Sequence, residues 1–205
     1  MAEKNSRMVA ALEGVARPGR FGRPGGEPGV VISEVRNAGL AAIVALRDHE
    51  AARAAGASDF GVELPMPARW AEGRKLAFVS SGPGRWLACR CPAPPQGMEA
   101  HLAPAFGAVA AIVDQSHGAV LLRASGRRIR EALAKGLAID LHPSAFSVGH
   151  AAITTIARIS VHVWQIADGP SYHLIVPRSY AASFWRWLEA SCGEFGLELA
   201  VAQEG

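Results

Sequence analysis

Residues 153–192 read ITTIARISVHVWQIADGPSYHLIVPRSYAASFWRWLEASC, and this stretch decides the fold class. Its first part is rich in β-branched residues, which favour strands, and a turn containing Gly and Pro separates two such runs. Its last part has apolar side chains at the three- and four-residue spacing of an amphipathic helix. The pattern predicts a strand over 153–166 with a bend near Arg158, a turn at 168–170, a strand over 171–176, and a helix capped by Ser179 and running to about Cys192.

The rest of the chain shows the same order of elements twice. Each half is predicted to run strand, helix, hairpin of two strands, helix, strand, over residues 40–113 and then 119–201. Such βαββαβ units place helices on one face of an antiparallel sheet, so we predict an α+β fold. The other predicted elements are strands 30–35, 40–46, 75–80, 85–90, 108–113, 119–124 and 197–201, helices 48–56 and 98–105, and a helix that ends at Gly136 and has Ser125 as its N-cap.

The segment before this pattern is different in composition. Residues 17–29 read RPGRFGRPGGEPG, which is almost entirely Gly, Pro and Arg. Pro and Gly oppose a helix, and the segment has no alternating apolar face for a strand. We therefore expect residues 1–29 to form an extended or mobile arm that folds against a partner if it folds at all. Residues 30–205 are expected to form the folded domain.

The overall composition excludes several classes of protein. Half of the residues are hydrophobic and 19% are charged, which is typical of a chain with a buried core. The net charge of +3 is too small to predict nucleic-acid binding. The most apolar stretch, residues 102–113, is interrupted by Pro104 and Gly107 and is too short to cross a bilayer. We expect a cytoplasmic protein without a signal peptide or membrane association.

The three cysteines do not predict a metal site or a disulfide. Cys89 and Cys91 lie on the same face of a predicted strand, but structural zinc usually needs four ligands and no second pair exists. Cys192 stands alone. An odd, low count is typical of reduced thiols, so we interpret these residues as small core side chains.

Two other polar groups resemble parts of catalytic sites. Asp114, Ser116 and His117 are too close in sequence to converge as a catalytic triad, and no nucleophile elbow is present. His162 and His173 lie on neighbouring strands of the predicted hairpin and could approach each other, but two imidazoles without a carboxylate are more often packing residues than ligands. We therefore predict no catalytic, cofactor-binding or metal-binding residue on this chain.

Two surfaces are candidates for a contact with a partner. Arg127 and Arg128 belong to a cluster of arginines near the start of a helix, which is either a site for an anion or acidic partner or a solvated surface. On the last helix, Phe184 and Leu188 mark the core stripe, while Tyr180 and Trp187 lie well off it. These extra aromatics suit either a protein–protein contact or cover by another part of the chain. The predicted partner interface therefore includes Tyr180, Trp187, Arg127 and Arg128.

Several segments resemble the gamma subunits of heterotetrameric sarcosine oxidase. The most specific are 133–143, LAKGLAIDLHP, and 176–188, VPRSYAASFWRWL. Residues 114–116 and 122–126 fit as well, and residues 16–22 and 82–87 fit more loosely. The family often has Cys-Pro where this chain has Leu137 and Ala138, so no thiol role carries over to that position.

The resemblance implies properties that composition does not. It implies a non-catalytic subunit that supports assembly of an oxidoreductase complex, in which alpha, beta and delta subunits are the partners. The complexes of this family demethylate sarcosine oxidatively with FAD, FMN and NAD, and tetrahydrofolate accepts the one-carbon unit. The resemblance assigns these ligands to the partner subunits. It also implies a fold similar to the folate-binding domain of glycine-cleavage aminomethyltransferase.

Two alternative functions remain open at this point. The small subunit of N-methylglutamate dehydrogenase is similar, and the sequence does not separate the two. A stand-alone folate-binding, one-carbon-transfer protein would need a carboxylate placed for the pterin, for which Asp114 and Asp140 are the candidates.

Overall fold

The second half of the chain folds as two successive hairpins followed by a helix. The computed structural model of the chain describes residues 11–74, 76–201 and 203–204. The strands are β1 Gly19–Phe21, β2 Val30–Arg36, β3 Gly39–Ala45, β4 Trp70–Gly73, β5 Leu76–Gly82, β6 Arg85–Arg90, β7 Ala110–Asp114, β8 Ala119–Ser125, β9 Ala151–Ile156, β10 Ile159–Ala167, β11 Ser171–Pro177, β12 Leu197–Leu199 and β13 Gln203–Glu204. The α-helices are α1 His49–Phe60, α2 Met98–Phe106, α3 Ile129–Ala134 and α4 Ala181–Cys192.

The strands form two sheets that pack face to face between two layers of helices. The larger sheet has the order β1-β12-β2-β8-β11-β10-β9, and β13 also pairs with β2. The smaller sheet has the order β4-β5-β6-β3-β7. Helices α3 and α4 cover the outer face of the larger sheet, and α1 and α2 cover the outer face of the smaller one. Among the described residues, no helix is long and apolar enough to cross a membrane.

The predicted α+β class with antiparallel sheets is confirmed, and the two halves have the same strand order. The smaller sheet runs β7-β3-β6-β5-β4, and the second half gives β12-β8-β11-β10-β9 with β2 inserted between β12 and β8. Each half contains one strand more than predicted. In the first half this strand is β4, which pairs with β5. In the second half the bend expected near Arg158 is a hairpin turn, because Ala157 and Arg158 both adopt left-handed φ angles of 49° and 68°.

An apolar layer joins the two sheets. Leu40 and Val79 of the smaller sheet pack there with Leu121, Trp164 and Ile175 of the larger sheet. The Trp164 side chain is completely buried. Burial of apolar surface contributes about 25 cal/mol per Å², so this layer is a major source of the free energy that holds the sheets together.

The outer faces of the sheets have their own cores beneath the helices. Below α1 and α2, Phe60 stacks on Phe106, and Phe78 packs edge-on against both rings. Below α4, Phe184 and Leu188 are buried against the larger sheet. The predicted core stripe of the last helix therefore points into the protein.

The helix starts only partly follow the predicted caps. The Asp48 carboxylate accepts hydrogen bonds from the backbone N–H groups of Glu50 and Ala51 and caps α1. The predicted caps Ser125 and Ser179 are wrong. Arg128 is the N-cap position of α3, and a 3-10 turn over Arg178–Tyr180 leads into α4, in both cases without a side-chain cap bond. At these starts the backbone N–H of Ile129 donates to the Gly126 carbonyl and that of Ala181 to the Arg178 carbonyl, which the sequence pattern does not show.

The prediction of an extended or mobile arm needs correction for residues 11–29. Gly19–Phe21 form an edge strand that pairs with β12, and the Phe21 ring packs edge-on against Trp185 at 5.4 Å. Leu12 is buried, and the Glu34 carboxylate accepts hydrogen bonds from the backbone N–H groups of Ala11 and Leu12. An edge strand needs backbone partners on one side only, so it forms here without an alternating apolar face. Residues 1–10 of the predicted arm lie outside the described residues.

We predict that His173 makes the fold sensitive to acid. Burial, and secondarily the charge of Arg123, lowers the pKa of His173 from 6.5 to about 4. Between these two values the unfolded chain binds more protons than the folded chain, so the free energy of unfolding falls as the pH falls. The His173→Gln variant lacks this imidazole, so its free energy of unfolding should fall by about 1–3 kcal/mol less over this range than that of the unmodified chain. The expected difference is smaller than the full pKa shift would give, because the ring is only partly buried.

Chemical denaturation between pH 7 and pH 4 measures this effect. His142→Gln is the control, because it removes an imidazole that is exposed and not buried between the sheets. Parallel curves for His173→Gln and the unmodified chain would contradict the prediction.

Candidate functional site

The structure uses Asp114 and Ser116 to close a loop. The Asp114 carboxylate accepts hydrogen bonds from the backbone N–H groups of Ser116, at 2.8 Å, and Met98, at 3.1 Å. Burial raises the pKa of Asp114, but these hydrogen bonds outweigh burial and the net pKa lies below its usual value. The Ser116 Oγ bonds the backbone N–H and C=O of Leu40. These groups are therefore arranged to hold the backbone, and His117 is exposed beside them.

The cysteines pack inside the protein. Cys89 and Cys91 are free thiols that hydrogen-bond each other, which raises the pKa of Cys89 well above its ordinary value and lowers that of Cys91. Cys192 is the last residue of α4 and is buried, and burial raises its pKa to about 12. In the described parts of the chain, no group of three or more His, Cys, Asp or Glu side chains could hold a metal ion.

The two histidines of the hairpin take separate packing positions. His173 lies opposite Trp164 in the β10–β11 ladder, with ring centroids 5.2 Å apart, while His162 lies opposite Ile175. The Nε2 of His162 is 3.2 Å from the Ser81 Oγ of the other sheet. Burial lowers the pKa of His162. The two imidazoles thus join the interface between the sheets and do not form a ligand pair.

The carboxylates considered for a folate site are both engaged with backbone groups. Asp140 accepts a hydrogen bond from the backbone N–H of His142 at 2.8 Å, as Asp114 does from Ser116 and Met98. Neither residue lines the three larger cavities found among the described residues. The arrangement gives no support to either as a pterin-binding carboxylate.

The α4 helix places Tyr180 and Trp187 in different surroundings. Tyr180 is 52% exposed just before the helix begins. Trp187 is partly buried, packs 5.9 Å from the Phe184 ring, and lies so close to Gly136 that a side chain on Gly136 would collide with the indole. The segment after α3 therefore covers part of Trp187, and only the rest of the indole is available to a partner.

Arg127 and Arg128 lie near the opposite end of α4 from Tyr180. The Arg128 guanidinium pairs with Glu131 at 2.6 Å and lies 4.8 Å from the centre of the Phe195 ring, so the chain itself already engages it. Arg127 is exposed. The structure thus places Tyr180 apart from the two arginines, because α4 alone spans 12 residues, or about 18 Å at 1.5 Å per residue.

Arg127 instead meets two arginines of the arm. Together with Arg20 and Arg23 it lines a groove of about 520 Å³ whose floor is the turn at Phe195 and Gly196. We call this feature the arm groove. The sequence pattern does not predict it, because its lining comes from residues 20–28, 127 and 195–197, which lie far apart in sequence and meet only when β1 pairs with β12.

The loop over residues 22–28, which forms one wall of the arm groove, is fixed at both ends. The backbone N–H of Arg23 donates to the Gly193 carbonyl at 2.8 Å, and that of Gly29 donates to the Phe195 carbonyl at 2.9 Å. The Arg20 guanidinium crosses the loop to the Gly26 carbonyl at 3.1 Å. At Gly22, with φ of 80°, a side chain would collide with the Gly193 backbone, so this close contact requires glycine.

The chemistry of the arm groove is that of binding. Its lining contains three arginines and one glutamate, Glu27, and no Ser, Cys, His, Lys or Asp. Guanidinium groups donate hydrogen bonds but do not exchange protons near neutral pH. The groove can therefore hold anionic groups. Its lining offers no nucleophilic side chain and no pair of side chains for acid–base catalysis.

Comparisons with known proteins identify the family. A family model described as "Sarcosine oxidase, gamma subunit family" matches residues 47–194, which is more than half of the chain. A sarcosine oxidase subunit gamma from Arthrobacter sp is 30% identical over 172 residues, covering 81% of each chain. One from Corynebacterium sp. (strain P-1) is 32% identical over 125 residues, and this match spans 60% of the present chain and 59% of the relative.

Solved structures have the same architecture. A chain of the heterotetrameric sarcosine oxidase from Corynebacterium sp. U-96 in complex with pyrrole 2-carboxylate superposes with a TM-score of 0.72 at 26% identity, over 83% of this chain and 87% of that chain. The glycine cleavage system aminomethyltransferase T from Bartonella henselae gives a TM-score of 0.62 at 12% identity, over 85% of this chain and 48% of that chain, and shows likeness of fold alone. The family match and the Arthrobacter relative together show that this chain belongs to the sarcosine oxidase gamma subunit family.

Proposed function

We propose that this chain is the gamma subunit of a heterotetrameric sarcosine oxidase and supports the assembly of the catalytic subunits. The observation that carries the proposal is the match to a chain of such an oxidase over 83% of this chain. The names of the two curated relatives favour sarcosine over N-methylglutamate as the substrate of the complex. Purification of the chain from its native host, followed by identification of the proteins that accompany it, tests the proposal.

The catalytic chemistry belongs to the partner subunits in this proposal. The partners are the alpha, beta and delta subunits, and they carry FAD, FMN, NAD and tetrahydrofolate in a cytoplasmic complex. Support comes from the polar side chains of this chain. Asp114, Asp140 and Ser116 hydrogen-bond the backbone, and His162 bonds Ser81 within the interface between the sheets.

The proposed partner surface is the outer side of the helix layer of the larger sheet. Tyr180, the exposed part of Trp187, and Arg127 are its candidate contact residues. Arg128 contributes indirectly, since its guanidinium is held between Glu131 and Phe195. Exposed aromatic and arginine side chains are enriched in protein–protein interfaces.

We predict that the isolated chain retains no flavin and oxidises no sarcosine. The reason is that the described residues offer no glycine-rich strand-to-helix turn for a dinucleotide, and that the arm groove is lined by no Ser, Cys, His, Lys or Asp. The chain is incubated with FAD and FMN, desalted, and examined by visible absorbance and by an assay for hydrogen peroxide. The complete complex from the native host is the positive control. Stoichiometric flavin on this chain alone would contradict the proposed division of roles.

We also predict different consequences for two aromatic residues of α4. Phe184→Ala should lower the free energy of unfolding by about 3–5 kcal/mol, because the ring is fully enclosed. Trp187→Ala should cost less, about 1–2 kcal/mol, because only part of the indole is covered by the chain itself. It should nevertheless weaken binding to the catalytic subunits more than Phe184→Ala does, because a partner contacts the remaining part.

Thermal unfolding of each variant and its co-purification with the catalytic subunits provide the two measurements. Phe184→Leu serves as a control for partial loss of packing without any change at the outer surface. Unchanged assembly by Trp187→Ala would contradict a role for this helix in the interface and leave the family assignment intact.

A further inference from the structure

The arm groove carries positive charge that the other described residues do not balance. Arg20 pairs with Glu198 at 3.2 Å, but no ion pair joins Arg23 or Arg127 to another described residue. Both side chains are exposed, and Glu27 is the one acidic residue of the lining. Two guanidinium groups thus face the same groove with all their donors available to a ligand.

The groove is also held in shape before any ligand binds. Backbone hydrogen bonds from Arg23 to Gly193 and from Gly29 to Phe195 fix the loop over residues 22–28. On the other wall, the backbone N–H of Arg128 donates to the Gly29 carbonyl at 2.9 Å, and Gly126 contacts the same residue so closely that a side chain would collide. Both arginines therefore project from fixed backbone, which reduces the entropy lost on binding.

The two aromatic rings that line the groove, Phe21 and Phe195, are partly buried and already packed against other side chains of this chain, which argues against a nucleic acid. Phe21 packs against Trp185, and Phe195 has Arg128 at 4.8 Å and Lys135 at 4.6 Å from its ring centre. Single-stranded nucleic acids bind basic grooves by stacking bases on free aromatic faces. A carboxylate needs no such face, because guanidinium groups bind it through paired hydrogen bonds.

We propose that the arm groove binds an acidic, extended segment of a partner subunit, and that Arg23 and Arg127 contact its carboxylates. The proposal deepens the proposed function and rests on it. The volume of about 520 Å³ lies within the range of clefts that bind specific ligands. Charge complementarity of this kind mainly sets the rate and specificity of association, so binding should weaken as salt is added.

The test uses the full-length chain and the remaining subunits of the complex, purified from a native host that lacks this chain. The variants are Arg23→Glu with Arg127→Glu, and the neutral pair Arg23→Gln with Arg127→Gln. Arg47→Glu is the single-site control for charge reversal, because Arg47 is also exposed but lies between β3 and α1, away from the groove. Affinity is measured at two salt concentrations, and thermal unfolding confirms that each variant is folded.

We expect the charge-reversal pair to bind the other subunits about tenfold or more weakly at low salt, with the neutral pair intermediate and Arg47→Glu unchanged. The difference should shrink at high salt. If the charge-reversal pair unfolds, the neutral pair carries the same comparison.

Three results would overturn the proposal. If the unmodified chain binds the subunits and both variant pairs bind equally well, the groove is not a contact site, while the proposed function stands. If the unmodified chain does not bind the other subunits at all, both proposals fail. If the variants keep their affinity for the subunits but lose binding to a labelled single-stranded oligonucleotide, the groove serves a nucleic acid instead.

Discussion

Trp164, Leu40 and Val79 meet where the two sheets pack face to face, and the rest of the fold depends on this contact. Each sheet must be apolar on its inner face to close this layer and apolar on its outer face to bind its helices. The central strands β6, β8 and β11 are accordingly buried at consecutive positions along much of their length. Helices α1 and α2 on one side and α3 and α4 on the other cover the faces that this contact leaves outside.

This double burial explains which elements could be predicted from sequence. Turn residues mark the hairpin of β5 with β6, which was predicted nearly to its ends, and β-branched residues with a Gly-Pro turn mark that of β10 with β11, where the turn and β11 were predicted but β10 was merged with β9. The short strand β4 has the sequence WAEG, which carries no such signal. It forms a strand because it pairs with β5. The β9–β10 turn was expected as a bend, because Ala157 and Arg158 are not the usual residues of a turn with two left-handed positions. These elements depend on tertiary contacts that local propensity does not report.

The candidate site could be predicted only in part, for a similar reason. Arg127 was identified as an exposed basic residue near a helix start, and the surface position agrees with the structure. Its neighbours Arg20 and Arg23 belong to a segment whose Gly and Pro content indicates an arm without structure of its own. The segment has little local preference for a strand, but backbone hydrogen bonds between β1 and β12 hold it in one. This pairing places Arg20 and Arg23 in the same groove as Arg127. Trp187 was correctly placed off the core stripe, but the close approach of Gly136 could not be predicted from a helical wheel.

The chain shares its fold with an aminomethyltransferase, and the polar side chains that the sequence pattern singles out are engaged within that fold. An active site needs polar groups that face a ligand and have unsatisfied hydrogen-bonding capacity. In this chain the carboxylates of Asp114 and Asp140 are bound to backbone N–H groups, and the carboxylate of Glu34 holds the start of the arm. His162 and His173 lie between the sheets, where burial favours the neutral imidazole. Arg23 and Arg127 at the arm groove make no ion pair with another described residue, and exposed guanidinium groups of this kind act by binding an opposite charge.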